Sequence, residues 1–188
     1  MFEALRKTGY QIELVSHALA ILEIDFPDAA KEIEDVILNQ SVPIEEIIRS
    51  GGGETKGTQR LRNGLTAKGW VKETFTIKKT INDEPRESIS HQVDHVRVFD
   101  RPDGRRYRIA LEIEWNNKDP FFDRDLENFK RLHSEGGISV GLIITRGTSL
   151  QDNMQSLVRR WVDERQVDSF ESWRTGSSEG WAILARSC

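Results

Sequence analysis

Apolar residues recur along this chain in two periods, and the switches between them outline an α/β protein. Residues 71–81 alternate, with Val71, Glu73, Phe75 and Ile77 on one side and Lys72, Thr74, Thr76 and Lys78 on the other. A period of two predicts a strand with unlike faces. A turn at Asn82-Asp83-Glu84-Pro85 leads to a second strand, Ser88 to Phe99, and a third runs from Arg106 to Trp115. Before them the spacing is helical. Ser16 is the expected cap of a helix from His17 to about Asp25, with Ala18, Leu19, Leu22 and Phe26 inward. A second helix, Ala29 to Asn39, carries Ala29, Ile33, Val36 and Ile37, and one more turn follows at Ile44 to Ile48. A basic helix from Lys56 to Lys68 is expected to start at a Thr58 cap, bury Leu61 and Leu65, and stop at Gly69. Tyr10 to Val15 reads as a short strand or turn.

After the third strand the pattern closes the fold. Asp123 to Ser134 reads as a helix, with Leu126, Phe129, Lys130 and Leu132 partly inward. Ile138 to Thr145 is almost wholly apolar, as befits a strand covered on both faces. Ser149 to Arg165 is an amphipathic helix, and Trp181 to Leu184 is another buried strand. The expected architecture is a central mixed β-sheet with helices on both faces, in one domain over residues 1–188.

Composition narrows the class only a little. The single cysteine, Cys188, excludes an intramolecular disulfide and suits a reducing cytoplasm. No apolar run is long enough for a membrane span. The net charge of −4 gives no global sign of nucleic-acid binding. Its distribution does more. Acids dominate between Gly9 and Ile48, whereas Arg49, Lys56, Arg60, Arg62, Lys68, Lys72, Lys78 and Lys79 dominate from 49 to 79. A basic segment can meet phosphates while the whole stays acidic, although solvated surface is the ordinary explanation. Gly51-Gly52-Gly53 lacks the lysine and spacing of a Walker loop. With the helix after it, the break could still bring backbone amides and Arg60 or Arg62 to a phosphate.

The chemistry concentrates in one hairpin. In Leu111-Glu112-Ile113-Glu114-Trp115 the two glutamates stand side by side on one strand face, which costs repulsion and β-propensity. Arg101-Pro102-Asp103-Gly104-Arg105 has the residues of a three-residue hairpin loop. If that loop is symmetric about Asp103, Arg101 pairs with Arg105 and Asp94 with Glu112. Asp94, Glu112 and Glu114 would then converge, an arrangement expected around a divalent cation with oxygen ligands, Mg²⁺ foremost. The competing explanation is a polar sheet face whose acids are bridged to Arg97, Arg106 or Arg108. His91 and His95 should share the face opposite Asp94 and so not ligate the same metal. Asn116, Asn117 and Lys118, just past the acidic strand, are candidate phosphate contacts or ordinary turn residues. Arg146, Ser149, Gln151, Asp152 and Asn153 cluster at the join into the last helix, where a helix cap and ordinary surface explain them unless the partner is a nucleic acid whose base edges they could read. Most tryptophans suit a core, with Trp70 or Trp173 available for an interface.

These residues resemble the PD-(D/E)XK nuclease superfamily and, within it, type II restriction endonucleases of the BglII type. The likeness is carried by GGGETKGTQRLRNGLTAKGW, HQVDHV and ALEIEWNNKDPFFDRDLENF. The resemblance implies a restriction-endonuclease-like fold in which Asp94 and Glu112 hold Mg²⁺, with the carbonyl of Ile113. Glu114 falls where most of the superfamily has lysine, and would orient or deprotonate the attacking water or help hold a second metal. The same resemblance implies double-stranded DNA as substrate, a short palindromic site, 5′-phosphate ends, a homodimer and pairing with a DNA methyltransferase. A repair or recombination nuclease of the same fold, an inactive DNA-binding relative, and an unrelated metal-binding protein are the competing readings.

Overall fold

The computed structural model describes residues 1–48, 54–102, 104–115, 119–164 and 181–186; for 48, 119–121, 151, 164 and 181–186 it describes the backbone alone. In chain order the elements are α1 (Glu3–Lys7), β1 (Gln11–Val15), α2 (Ala18–Ala20, continuing as a π-helical turn over Ile21–Asp25), α3 (Pro27–Leu38), α4 (Ile44–Ile48), α5 (Lys56–Ala67), β2 (Val71–Ile81), β3 (Glu84–Asp100), β4 (Arg106–Glu114), α6 (Asp119–Ser134), β5 (Val140–Arg146), α7 (Thr148–Glu164) and β6 (Trp181–Arg186). The six strands form one sheet in the order β1-β6-β5-β4-β3-β2. β4 and β5 run parallel, as do β1 and β6, and the other pairs are antiparallel.

The sheet is mixed and covered on both faces. On one side Ile109 and Leu111 of β4 and Trp115 just after it join Leu142 and Ile144 of β5 and residues from α1, α2, α3, α5 and α7. On the other, Ala110, Val93, Val96 and Ile143 meet Phe129 and Leu132 of α6. Alternation along β4 therefore puts Ile113 toward the larger core and Glu112 and Glu114 on the α6 side.

Two local starts differ from expectation. Ser16 takes a positive φ of 58° and caps nothing; α2 begins after His17 without a side-chain cap. α5 is capped by Thr55, whose hydroxyl accepts from the Thr58 amide at 3.1 Å, so the cap lies three residues earlier than Thr58. The stop at Gly69 is as expected, with φ of +88°. Lys130 of α6 is exposed rather than inward. Trp70 is fully buried, its indole N–H donating to Glu32 at 2.8 Å, and so is no interface residue. Trp173 and the Gly51–Gly53 break lie outside the described residues.

β2 and β3 extend well beyond β4. They turn over Asn82 and Asp83, both at positive φ, the geometry of a two-residue hairpin. β4 pairs with β3 only from His95 to Asp100, leaving residues 84–94 of β3 on β2 alone. One face of this ribbon leans on α6 through Phe75, Ile77 and the Lys79–Glu135 ion pair at 3.1 Å. α6 in turn lies close on β5. A Cβ at Gly141 would stand 2.5 Å from the Phe129 ring, so the absence of a side chain there sets how near the helix sits.

Candidate active site

The β3–β4 register follows from the turn. Arg101 N–H donates to the Arg105 carbonyl at 2.9 Å, and Gly104, at φ +79°, donates to the Arg101 carbonyl at 2.9 Å. Pairing then runs from Asp100–Arg106 to His95–Leu111. One step further brings Asp94 level with Glu112, and the Asp94 amide donates to Glu112 Oε1 at 3.2 Å. The turn residue Asp103 itself lies outside the described residues.

A β-bulge interrupts the other side of β3. Val71 pairs with Val96 but Glu73 pairs with Val93, so Asp94 and His95 together face Lys72. The extra residue breaks the strict alternation on which the sequence reading placed both histidines on one face. His95 pairs with Leu111 and lies toward the larger core. His91, below the bulge, pairs with Phe75 and shares a 3.0 Å hydrogen bond with Asn128 of α6. Burial lowers the pKa of both imidazoles.

The three acids sit in unlike surroundings. Glu112 and Glu114 are 6% and 9% exposed. Burial, then the charge of Asp94, pushes Glu112 up to about 8. Burial, then a hydrogen bond with Asp125, pushes Glu114 up to about 8 as well. Asp94 is half exposed, and its Oδ1 lies 2.7 Å from Lys72 Nζ. Arg97, Arg106 and Arg108, the candidate partners of these acids, all serve elsewhere. Arg97 pairs with Glu32 at 3.1 Å, Arg106 with Asp100 at 2.9 Å, and Arg108 with Glu73 at 2.9 Å. An ordinary salt-bridged sheet face is therefore not what surrounds Glu112 and Glu114.

Asp125 of α6 is the site residue that the sequence reading missed. It is 1% exposed, touches Arg124 at 3.0 Å, and faces Glu114. Glu114 Oε2 and Asp125 Oδ2 are both buried without a hydrogen-bond donor. Two carboxylates can satisfy each other only by sharing a proton or a cation. The signal was present in the helix: Phe122, Asp125, Leu126, Phe129 and Leu132 fall on one face, and an acid in that stripe is out of place.

Among the described residues, no three acids or histidines yet close on one point as a metal ion requires. The donor set is nevertheless all oxygen, rich in negative charge and short of donors, which fits a hard divalent cation. The carboxylate of Asp94, whose charge acts on Glu112, pairs with Lys72.

The candidate DNA contacts divide. Arg60 is occupied by Glu46, at 2.9 Å to both oxygens, and by the Ser41 carbonyl; it ties α5 to α4 rather than reaching the acids. Arg62 pairs with Glu54 at 2.9 Å. Arg146 is exposed at the end of β5, one residue beyond the Thr145–Glu114 pair, at the acid end of the sheet. Asn153 is exposed on α7, its amide donating to the Ser149 carbonyl at 2.8 Å. Gln151 lies on α7 with its side chain outside the described residues, and Asn116, Asn117 and Lys118 lie outside them altogether.

Residues 10–172 match the family model of the restriction endonucleases BglII/BglIII, and the chain belongs to that family of DNA nucleases. No curated protein matches it in sequence. Among the described residues, no helix is long and apolar enough to cross a membrane.

Proposed function

We propose that the chain is a Mg²⁺-dependent type II endodeoxyribonuclease of the PD-(D/E)XK kind, in a single nuclease domain. It hydrolyses phosphodiester bonds of double-stranded DNA at a short palindrome and leaves 5′-phosphate ends. The observation that carries this reading is a pair of buried glutamates, with Arg97, Arg106 and Arg108 all bridged to other acids, in a member of a restriction endonuclease family. Asp94, Glu112 and the Ile113 carbonyl are the residues that would hold the cation. Mg²⁺ supplies Lewis acidity toward the phosphate and lowers the pKa of a bound water.

The chain's own groups do the rest. Glu114, on the same strand face as Glu112, orients the attacking water or takes its proton. Asp125 holds Glu114 from the helix side. Attack on phosphorus opposite the 3′-oxygen breaks the P–O3′ bond, and the departing oxygen takes a proton from solvent water to leave as a hydroxyl. Arg146 and the first turns of α7, with Gln151 and Asn153, are the DNA contacts at the same end of the sheet, and Asn116, Asn117 and Lys118, next after the acidic strand in the sequence, are further ones. Cutting both strands of a palindrome calls for a homodimer whose two-fold axis matches that of the site. Such an enzyme works in the cytoplasm beside a methyltransferase that protects the host's own sites.

The test is plasmid digestion with Mg²⁺ and sequencing of the ends. The expected result is discrete bands with palindromic termini, lost in a folded Glu112→Ala variant. Undiscriminating nicking would point to a repair nuclease, and a Glu112→Ala variant cutting at the normal rate would remove Glu112 from the site.

A further inference from the structure

We propose that Lys72 is a catalytic residue of this nuclease: counter-ion of Asp94 in the metal-free protein, and donor to the scissile phosphate in the loaded one. The inference rests on the nuclease reading above. Its starting point is geometric. The bulge sets Asp94 and His95 together opposite Lys72, and the Lys72 ammonium closes to 2.7 Å on Asp94. Bulges of this kind re-aim side chains beside active sites. Without the extra residue, one side chain of β3 would face Lys72 instead of two.

The charges around the acids make Lys72 distinct. Arg97, Arg106 and Arg108 are bound to other acids, Arg60 and Arg62 to Glu46 and Glu54, and Arg124 lies on the helix side against Asp125. Lys72 approaches from the opposite strand, with its side chain 55% exposed, on the solvent side where a DNA strand must arrive. Its partner carboxylate is one that the cation requires. Loading therefore frees the ammonium at the moment that the phosphate enters, and a four-carbon stem lets it swing without moving β2. Glu114 carries no positive charge to offset the negative charge developing on the phosphoryl oxygens, and Lys72 supplies one. Lys72 makes and breaks no covalent bond. The water oxygen bonds to phosphorus, the 3′-oxygen leaves, and the ammonium donates a hydrogen bond to a non-bridging oxygen throughout.

Two measurements on Lys72→Ala move in opposite directions if this is right. Mn²⁺ titrated calorimetrically into the DNA-free protein should bind about three- to tenfold tighter, because a competing positive charge is gone. Single-turnover cleavage at saturating Mg²⁺ should fall by about 10²-fold or more, the usual cost of losing one charge-stabilising donor. Lys72→Arg should regain part of the rate and Lys72→Met none of it. Cleavage by Lys72→Ala at the rate of an active unaltered protein would reduce Lys72 to a passive counter-ion and overturn the proposal. Unchanged Mn²⁺ affinity would remove the ion pair on which it stands. Failure of the unaltered protein to cut any DNA would instead sink the nuclease reading, and the proposal with it.

Discussion

Asp94 and Glu112 are joined by a hydrogen bond, yet they belong to two different electrostatic regions. Glu112 and Glu114 lie under α6, beside its buried Asp125, where burial raises the pKa of both glutamates well above the ordinary carboxylate range. Asp94 lies at the rim, half exposed and paired with Lys72. The buried half stores an unfavourable charge that only protons or a cation can relieve. The rim half is already neutralised by the protein's own lysine. A single site thus combines a part that strains the fold with a part that the fold tolerates easily, and the two should respond differently to the same kind of substitution.

The largest expected effect comes from neutralising each half in turn. Glu112→Gln and Asp94→Asn should each lower Mg²⁺-dependent cleavage by about 10³-fold, the scale of losing metal-held charge stabilisation. Their stabilities should part company. In urea at pH 8 without metal, Glu112→Gln should be more stable than the unaltered protein, whereas Asp94→Asn should lie within about 0.5 kcal/mol of it, as exposed pairs contribute little. Equal shifts in the two variants would erase the comparison.

Next comes the seat of α6. Gly141→Ala would press a methyl group into the Phe129 ring and lift the helix that carries Asp125. Overpacking of this kind costs about 1–3 kcal/mol, and cleavage should fall with it. A variant that loses stability but keeps full activity would show that Asp125 need not be held so closely.

The pH dependence follows from the raised carboxyls. Glu112 and Glu114 keep their protons in the folded state up to about 8, against 4.5 for the ordinary side chain. The metal-free fold therefore binds more protons than the unfolded chain across that window. The stability this confers is fully present below about pH 4.5 and is lost as pH rises through about 8. Melting temperature measured across this range should fall on the alkaline side, and Ca²⁺ should restore it. A flat profile would mean that the buried half is not strained. The smallest effect is expected at Arg60. Arg60→Ala should cost about 0.5–1 kcal/mol through the lost Glu46 pair and leave the salt dependence of DNA binding unchanged.

Strand positions were legible in this sequence because the period of two is long and clean in β2 and β4, and because Pro102 and Gly104 specify one turn. Counting back from that turn placed Asp94 level with Glu112. Counting failed at the bulge, since nothing in Val93-Asp94-His95-Val96 marks which residue is the extra one. That one residue decided the face of His91 and the partner of Asp94. Asp125 was missed for another reason: attention to apolar positions on α6 passed over an acid in the same stripe. Arg60 looked like a phosphate ligand because Glu46, fourteen residues earlier, is brought to it only by the packing of α4.

The overhang of β2 and β3 has a consequence for how such a protein can be remodelled. Beyond the bulge the two strands form a module held to the rest by side chains, against α6, Glu135 after it and Arg108 of β4, and its tip is a two-residue turn. Adding or removing residues in matched pairs near Asn82 and Asp83 leaves the inward and outward positions of everything nearer the acids unchanged. The ribbon is a length that can be altered in whole steps, while the bulge keeps the register of the site independent of it.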